Sequence, residues 1–166
     1  MADDGGSEAP DLWTAARTLA RLSRISLALR MRGFKSLYVA LDRRAKRRAA
    51  RRATRAGAAD FDRVDAESPP GLLEEARRSA ALVMLVNRHY SPLEAGCLVE
   101  SLTLWWTLRR RGIAADLRLG VRTFVGPLQS HAWVEYQGVP LNDADDVRLV
   151  FEPFDLSEIS SDAEVP

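Results

Sequence analysis

The chain contains a single cysteine, Cys97, and two histidines, His89 and His131. A sulfur nucleophile needs a base beside it and a third group to hold that base, so these few residues decide whether thiol chemistry is open to the protein. A lone cysteine is by default a small core residue. Cys97 differs in its position. It follows Gly96, which lets backbone and substrate come close, and it opens a long apolar helical pattern. At such a helix start, unpaired amides and the positive dipole end favour thiolate over thiol and can hold an oxyanion. Ser91-Pro92-Leu93-Glu94 also has the form of a capping box with Pro at the first helical position. A helix starting there would put Cys97 in its second turn and weaken the dipole's help.

His131 opens the run His131-Ala132-Trp133-Val134-Glu135, and Asp143 follows further along the chain. If Tyr136-Gln137-Gly138 forms a three-residue hairpin loop with Gly138 left-handed, Glu135 pairs with Val139, Trp133 with Leu141 and His131 with Asp143. Paired residues share a face, so this register predicts a His–Asp contact; a two-residue loop predicts Asp143 on the wrong face. Asp145 and Asp146 are rival carboxylates. Trp133 shields the His–Asp pair from water or simply fills the core. Gly96, Trp133 and Glu135 are candidate substrate contacts, while Glu100 and Glu135 either flank a substrate groove or solvate a face. His89 is expected to be structural or on the surface. One cysteine and two histidines show no metal-ligand spacing, so neither a metal nor another cofactor is expected.

The elements that must position these groups follow from periodicity. Residues 1–10 read as a flexible tail. Leu12, Ala15, Ala16, Leu19, Leu22, Ile25 and Leu29 recur at helical steps, Gly33 breaks the run, and Phe34, Leu37, Tyr38 and Leu41 begin a second helix. That helix becomes strongly basic: eight of the fifteen residues from Leu41 to Arg55 are Arg or Lys. Residues 11–56 thus form an N-terminal helical region and 57–70 a linker. Leu72 to Asn87 predicts a helix with Leu73, Ala76, Ala80, Val83 and Met84 on one face. Cys97 to Arg111 predicts another, closed by three arginines and Gly112. Its apolar residues surround it, so it should be a central, buried helix. Beyond Gly112 the period changes to two: Leu117 to Val121, His131 to Tyr136, Val139 to Asp143 and Val147 to Phe154 predict strands. The fold class is α+β, with the core domain over 71–154 and an acidic tail over 155–166.

Composition narrows the function. The chain has 166 residues, 46% of them hydrophobic, and 24 Lys+Arg against 23 Asp+Glu. The balance argues against a general polyanion binder. The basic run lacks the aromatic interleaving of single-strand nucleic-acid binders, so no nucleic acid is expected; a negatively charged peptide or protein suits it equally well. Arginines interrupt the Leu12–Leu41 stretch, which excludes a membrane span and leaves surface attachment a lesser alternative. A lone cysteine and an acidic N-terminus without signal-peptide character predict a cytoplasmic protein.

Taken together, several runs resemble the transglutaminase-like maturation protease of lasso-peptide biosynthesis. They are Cys97-Leu98-Val99-Glu100-Ser101-Leu102-Thr103-Leu104, Leu108-Arg109-Arg110-Arg111-Gly112-Ile113, Leu117-Arg118-Leu119-Gly120-Val121, His131-Ala132-Trp133-Val134-Glu135, and Gly138 with Leu141-Asn142-Asp143. The resemblance spans about Leu72 to Asp143. It implies a papain-like α+β core and a Cys97-His131-Asp143 triad that removes the leader from a ribosomally made precursor peptide. It also implies a separate leader-recognition protein, for which this chain is too short, and a separate ATP-dependent cyclase acting on the freed core. A transglutaminase-like acyl transferase using the same thioester is one alternative. A non-catalytic basic helical protein binding peptide or nucleic acid, with Cys97 as packing, is the other.

Overall fold

The computed structural model describes residues 11–56, 71–90, 96–122, 127–154 and 156. The expected tails and linker, and the capping box at Ser91–Glu94, lie outside the described residues, except that Leu156 is described and buried. In chain order the elements are α1 (Leu12–Ala56), α2 (Leu72–Tyr90), α3 (Cys97–Arg111), β1 (Asp116–Arg122), β2 (Gln129–Tyr136), β3 (Val139–Pro140), α4 (Val147–Val150) and β4 (Glu152–Phe154). The four strands make one antiparallel sheet in the order β3-β2-β1-β4. The α+β class expected from the sequence is therefore the observed one.

Gly33 breaks α1 as its sequence requires. Its backbone (φ 71°, ψ 169°) leaves helical geometry and divides the helix into two arms, residues 12–32 and 34–56. Both arms send apolar side chains inward: Leu22 and Ile25 from the first, Leu37 and Leu41 from the second. α2 adds Ala76, Ala80, Val83 and Val86 at steps of three and four. Met84, expected on that face, is 40% exposed, and Val86 takes the buried place instead. Glu74 and Glu75 in the first turn and Arg88 and His89 in the last complement the α2 dipole.

α3 is the element that the others surround. Val99, Ser101, Leu102, Thr103, Leu104, Trp105, Thr107 and Leu108 are all buried, which only a helix packed on several sides allows. Gly112, left-handed at φ 93°, ends it and donates its N–H to the last-turn carbonyls. α1, α2, β1 and β2 all pack against this helix.

Two strand expectations need correction. Residues 147–154 do not form one strand: Val147–Val150 make a single helical turn, and only Glu152–Phe154 pair, with β1. The β2–β3 hairpin also closes through two residues, Gln137 and Gly138, both at positive φ (51° and 80°), so Tyr136 faces Val139 and Glu135 faces Pro140. Gln137 tolerates the left-handed conformation that was assigned to Gly138 alone, and a loop with two such residues matches the natural twist of the strands. β3 then ends after two residues.

One carboxylate is fully enclosed by the sheet. Glu135 is 0% exposed and accepts hydrogen bonds from Trp133 Nε1 (2.7 Å), Arg118 Nε (2.9 Å) and both Nε (2.6 Å) and Nη2 of Arg148. Burial pushes its pKa up, but the hydrogen bonds from Arg148, Trp133 and Arg118 and the charge of Arg148 outweigh burial and hold it below the ordinary value. A carboxylate depressed on folding contributes stability above its unfolded pKa, about 4.3, and loses that contribution as pH falls through the lower folded value. Glu135→Gln should cost about 2 kcal/mol at neutral pH, because it leaves two arginines facing a neutral group while both can still turn towards water. Thermal unfolding at neutral and acidic pH checks this: the gap between wild type and variant should narrow as the pH drops below that of ordinary carboxylates.

Candidate active site

Cys97 is the first residue of α3, with Gly96 as N-cap, and it is half-buried and free of any disulfide. Gly96 has no side chain to cap the helix, and the first hydrogen bonds to its carbonyl come from Val99 (3.0 Å) and Glu100 (3.3 Å). The amides of Cys97 and Leu98 therefore stand at the open positive end of the helix.

His131 lies near the start of β2, opposite Gly120 of β1. Its Nε2 meets Oδ2 of Asp143, and both side chains remain about one-quarter exposed (25% and 24%), so the pair is reachable from solvent. The ring is fixed on two sides. Trp133 stacks at 6.2 Å, and Phe151 lies tilted at 4.8 Å between centroids. Gly120 makes that packing feasible: a Cβ there would stand 3.0 Å from Trp133 Cη2, Phe151 Cβ and the Glu152 carbonyl. Glycine within an alternating strand signals such a close approach, but the sequence does not say to what.

Asp143 reaches His131 by a different route from the expected ladder pairing. With the two-residue loop, continued pairing would have carried it to the wrong face. Instead the chain leaves the ladder after Pro140. Leu141 N–H still donates to the Val134 carbonyl (2.9 Å), but the return bond from Val134 N–H goes to the side-chain Oδ1 of Asn142 (2.8 Å). That substitution lets the backbone bend and turns the next residue, Asp143, towards the imidazole. Asp143 Oδ1 accepts the Ala144 N–H (2.8 Å), which fixes the carboxylate's other oxygen.

Asn142 also ties this bend to α3. Its Nδ2 donates to Ser101 Oγ (3.0 Å) and Glu100 Oε1 (3.2 Å), Glu100 Oε2 accepts from Asn87 Nδ2 of α2 (2.8 Å), and Ser101 Oγ donates to the Ala132 carbonyl (2.9 Å). Ser101 is one turn beyond Cys97, and Ala132 is the neighbour of His131. The network thus links the start of the cysteine helix, the histidine strand and the aspartate bend. Cys97 itself makes no hydrogen bond to His131. Catalytic contacts of this kind are often loose without substrate and tighten in the reacting complex.

Glu135 and Trp133, expected as substrate contacts, are completely buried and support the sheet behind His131. Glu100 is half-buried and accepts hydrogen bonds from two asparagines, Asn87 and Asn142. Gly96 is exposed beside the thiol. Asp145 and Asp146 form no contact with His131. Among the described residues, no group of three or more His, Cys, Asp or Glu is placed to hold a metal, and no helix is long and apolar enough to cross a membrane.

With a helix-borne cysteine, a strand-borne histidine and its aspartate in place on an α+β frame, sequence comparison supplies the family. The profile of the transglutaminase-like superfamily matches residues 12–154, and the chain belongs to that superfamily. Over 60 residues, 36% of this chain, it is 42% identical to the Microcin J25-processing protein McjB of Escherichia coli, and the matched part spans 28% of that relative's length. No solved structure matches.

Asn142→Ala should lower stability by about 2 kcal/mol, because it strands the buried Val134 N–H and frees the bend. Urea denaturation measures this. Gly120→Ala should cost a further, separate 1–3 kcal/mol or so, since Trp133, Phe151 and a backbone carbonyl must all yield to the added methyl. A neutral outcome for Gly120→Ala would show that the His131 packing is looser than described.

Proposed function

We propose that the protein is a cytoplasmic cysteine peptidase that cuts the leader from a ribosomally made lasso-peptide precursor, with Cys97 as nucleophile, His131 as base and Asp143 as the group that orients the base. The observation that carries this reading is the His131–Asp143 contact, held by a bend that is itself bonded to the helix beginning at Cys97. Membership of a superfamily with thiol chemistry and the partial similarity to a microcin-processing protein support the same choice.

In this mechanism Asp143 occupies Nε2 and leaves Nδ1 for the thiol. Nδ1 takes the Cys97 proton as Sγ attacks the scissile carbonyl carbon, and the amides of Cys97 and Leu98 receive the oxyanion. The C–N bond breaks as the imidazolium gives its proton to the leaving amine, which frees the core peptide. Water, deprotonated by His131, then opens the thioester, releases the leader as a carboxylate and restores the thiol. Asp143 keeps the ring in the required tautomer and stabilises the imidazolium. A separate leader-recognition protein would deliver the precursor, and a cyclase would take the new amine.

Incubation of the purified chain with precursor and recognition protein, followed by mass spectrometry, tests this. Two fragments summing to the precursor plus one water are expected; an amine adduct would indicate acyl transfer instead. Cys97→Ala should leave the precursor intact, and Asp143→Asn should slow cleavage about a hundredfold or more through the wrong tautomer. Normal turnover by Cys97→Ala would end the proposal.

A further inference from the structure

A concavity of about 740 Å³ lies away from Cys97, between the two arms of α1 and the C-terminal half of α3. Eight of its sixteen lining residues are arginines, among them Arg21, Arg24, Arg44, Arg47, Arg48 and Arg110, and none of the lining residues is acidic. Among the described residues, none of these eight arginines forms an ion pair. Burial, then repulsion from Arg110, Arg17 and Arg111, pulls Arg21 below the usual guanidinium value; Arg110 is lowered by burial and by Arg48 and Arg17. Among the described residues this is an excess of positive charge without an internal counter-charge.

Between the arginines the groove is apolar. Its floor is Ile25, Leu37 and Leu41, and Leu27 and Met31, one helical turn apart, stand 59% and 76% exposed at its side. Trp106 is flanked by Arg48 and Arg110 at 6.0 Å. A nucleic-acid backbone would satisfy the arginines and waste the apolar strip. A bilayer is flat and cannot follow a trough whose floor is recessed between two helical arms. We propose that this groove binds an acidic, amphipathic polypeptide segment of a partner protein, with apolar side chains on the Leu27–Met31–Leu41 strip and carboxylates on the flanking arginines. Arg, unlike Lys, offers a fork that matches carboxylates in two-point contacts, and a helix with apolar residues at three- and four-residue steps suits a trough of this form.

The proposal does not rest on the triad, so its test is binding and not cleavage. A fluorescein-labelled helical peptide with leucines on one face and glutamates on both flanks is titrated into the full chain and followed by anisotropy. Saturable binding that weakens with salt is expected, and a peptide of equal charge with serine in place of leucine should bind about tenfold more weakly or worse. Arg24→Glu with Arg47→Glu should abolish binding, and the milder Arg24→Gln with Arg47→Gln should weaken it; thermal unfolding verifies that both variants remain folded. Cys97→Ala should bind like wild type. Equal affinity for the serine peptide, or tighter binding of a single-stranded oligonucleotide of matched charge or of anionic vesicles, overturns the proposal. So does a dimer that the arginine variants disperse, or a gain in peptide affinity on removing residues 157–166, since either assigns the groove to this chain itself.

Discussion

The arrangement of the candidate site depends on one side chain standing in for backbone. Asn142 Oδ1 takes the Val134 N–H that a longer β3 would have bonded through a carbonyl. A buried amide must find an acceptor, and this one finds it without committing the chain to another strand residue. The backbone is therefore free to turn within a residue, and the turn presents Asp143 to His131. Because the same asparagine donates to Ser101 and Glu100, the turn is also registered against α3. Three elements from distant parts of the chain meet through a single carboxamide, and all of its hydrogen-bonding atoms are used.

Behind this junction the sheet is built to be stiff where His131 sits. Glu135 gathers Trp133, Arg118 and Arg148 around a fully buried carboxylate, and so joins β1, β2 and the α4 turn. Trp133 is held at its indole N–H and stacks under the imidazole, while Phe151, just after α4, closes the other side. The ring of His131 is thus placed by aromatic packing on its flanks and by Asp143 at its tip.

Much of this was legible in the sequence. The C-terminal limit of α3 was readable to the residue, because Gly112 and the arginines mark it, whereas its start lay between two candidates, the Ser91 capping box and the apolar run from Cys97. The break at Gly33 and the enclosure of α3 were readable for similar reasons. The hairpin register was not, since Gln137 adopts a left-handed conformation that its side chain does not advertise. The His–Asp contact was expected through strand pairing and arises through a bend, because a side-chain acceptor leaves no trace in hydrophobic periodicity. Glu135 was misread because the cations that neutralise it, Arg118 and Arg148, are far from it in sequence. A strand glutamate read without its partners looks exposed. The roles of Gly120 and Phe151 depend on tertiary contact and had no local signature beyond the glycine itself.

α3 also sets a scale. Cys97 starts the helix, and Trp106 and Arg110, which line the arginine groove, stand nine and thirteen residues further along it. At the rise and turn of an α-helix these positions lie roughly 14 and 20 Å further along the axis, and both are on the side of the helix turned away from Cys97. With α3 enclosed by the other elements between them, the helix acts as a partition, and the groove and the thiol face different sides of the same core element.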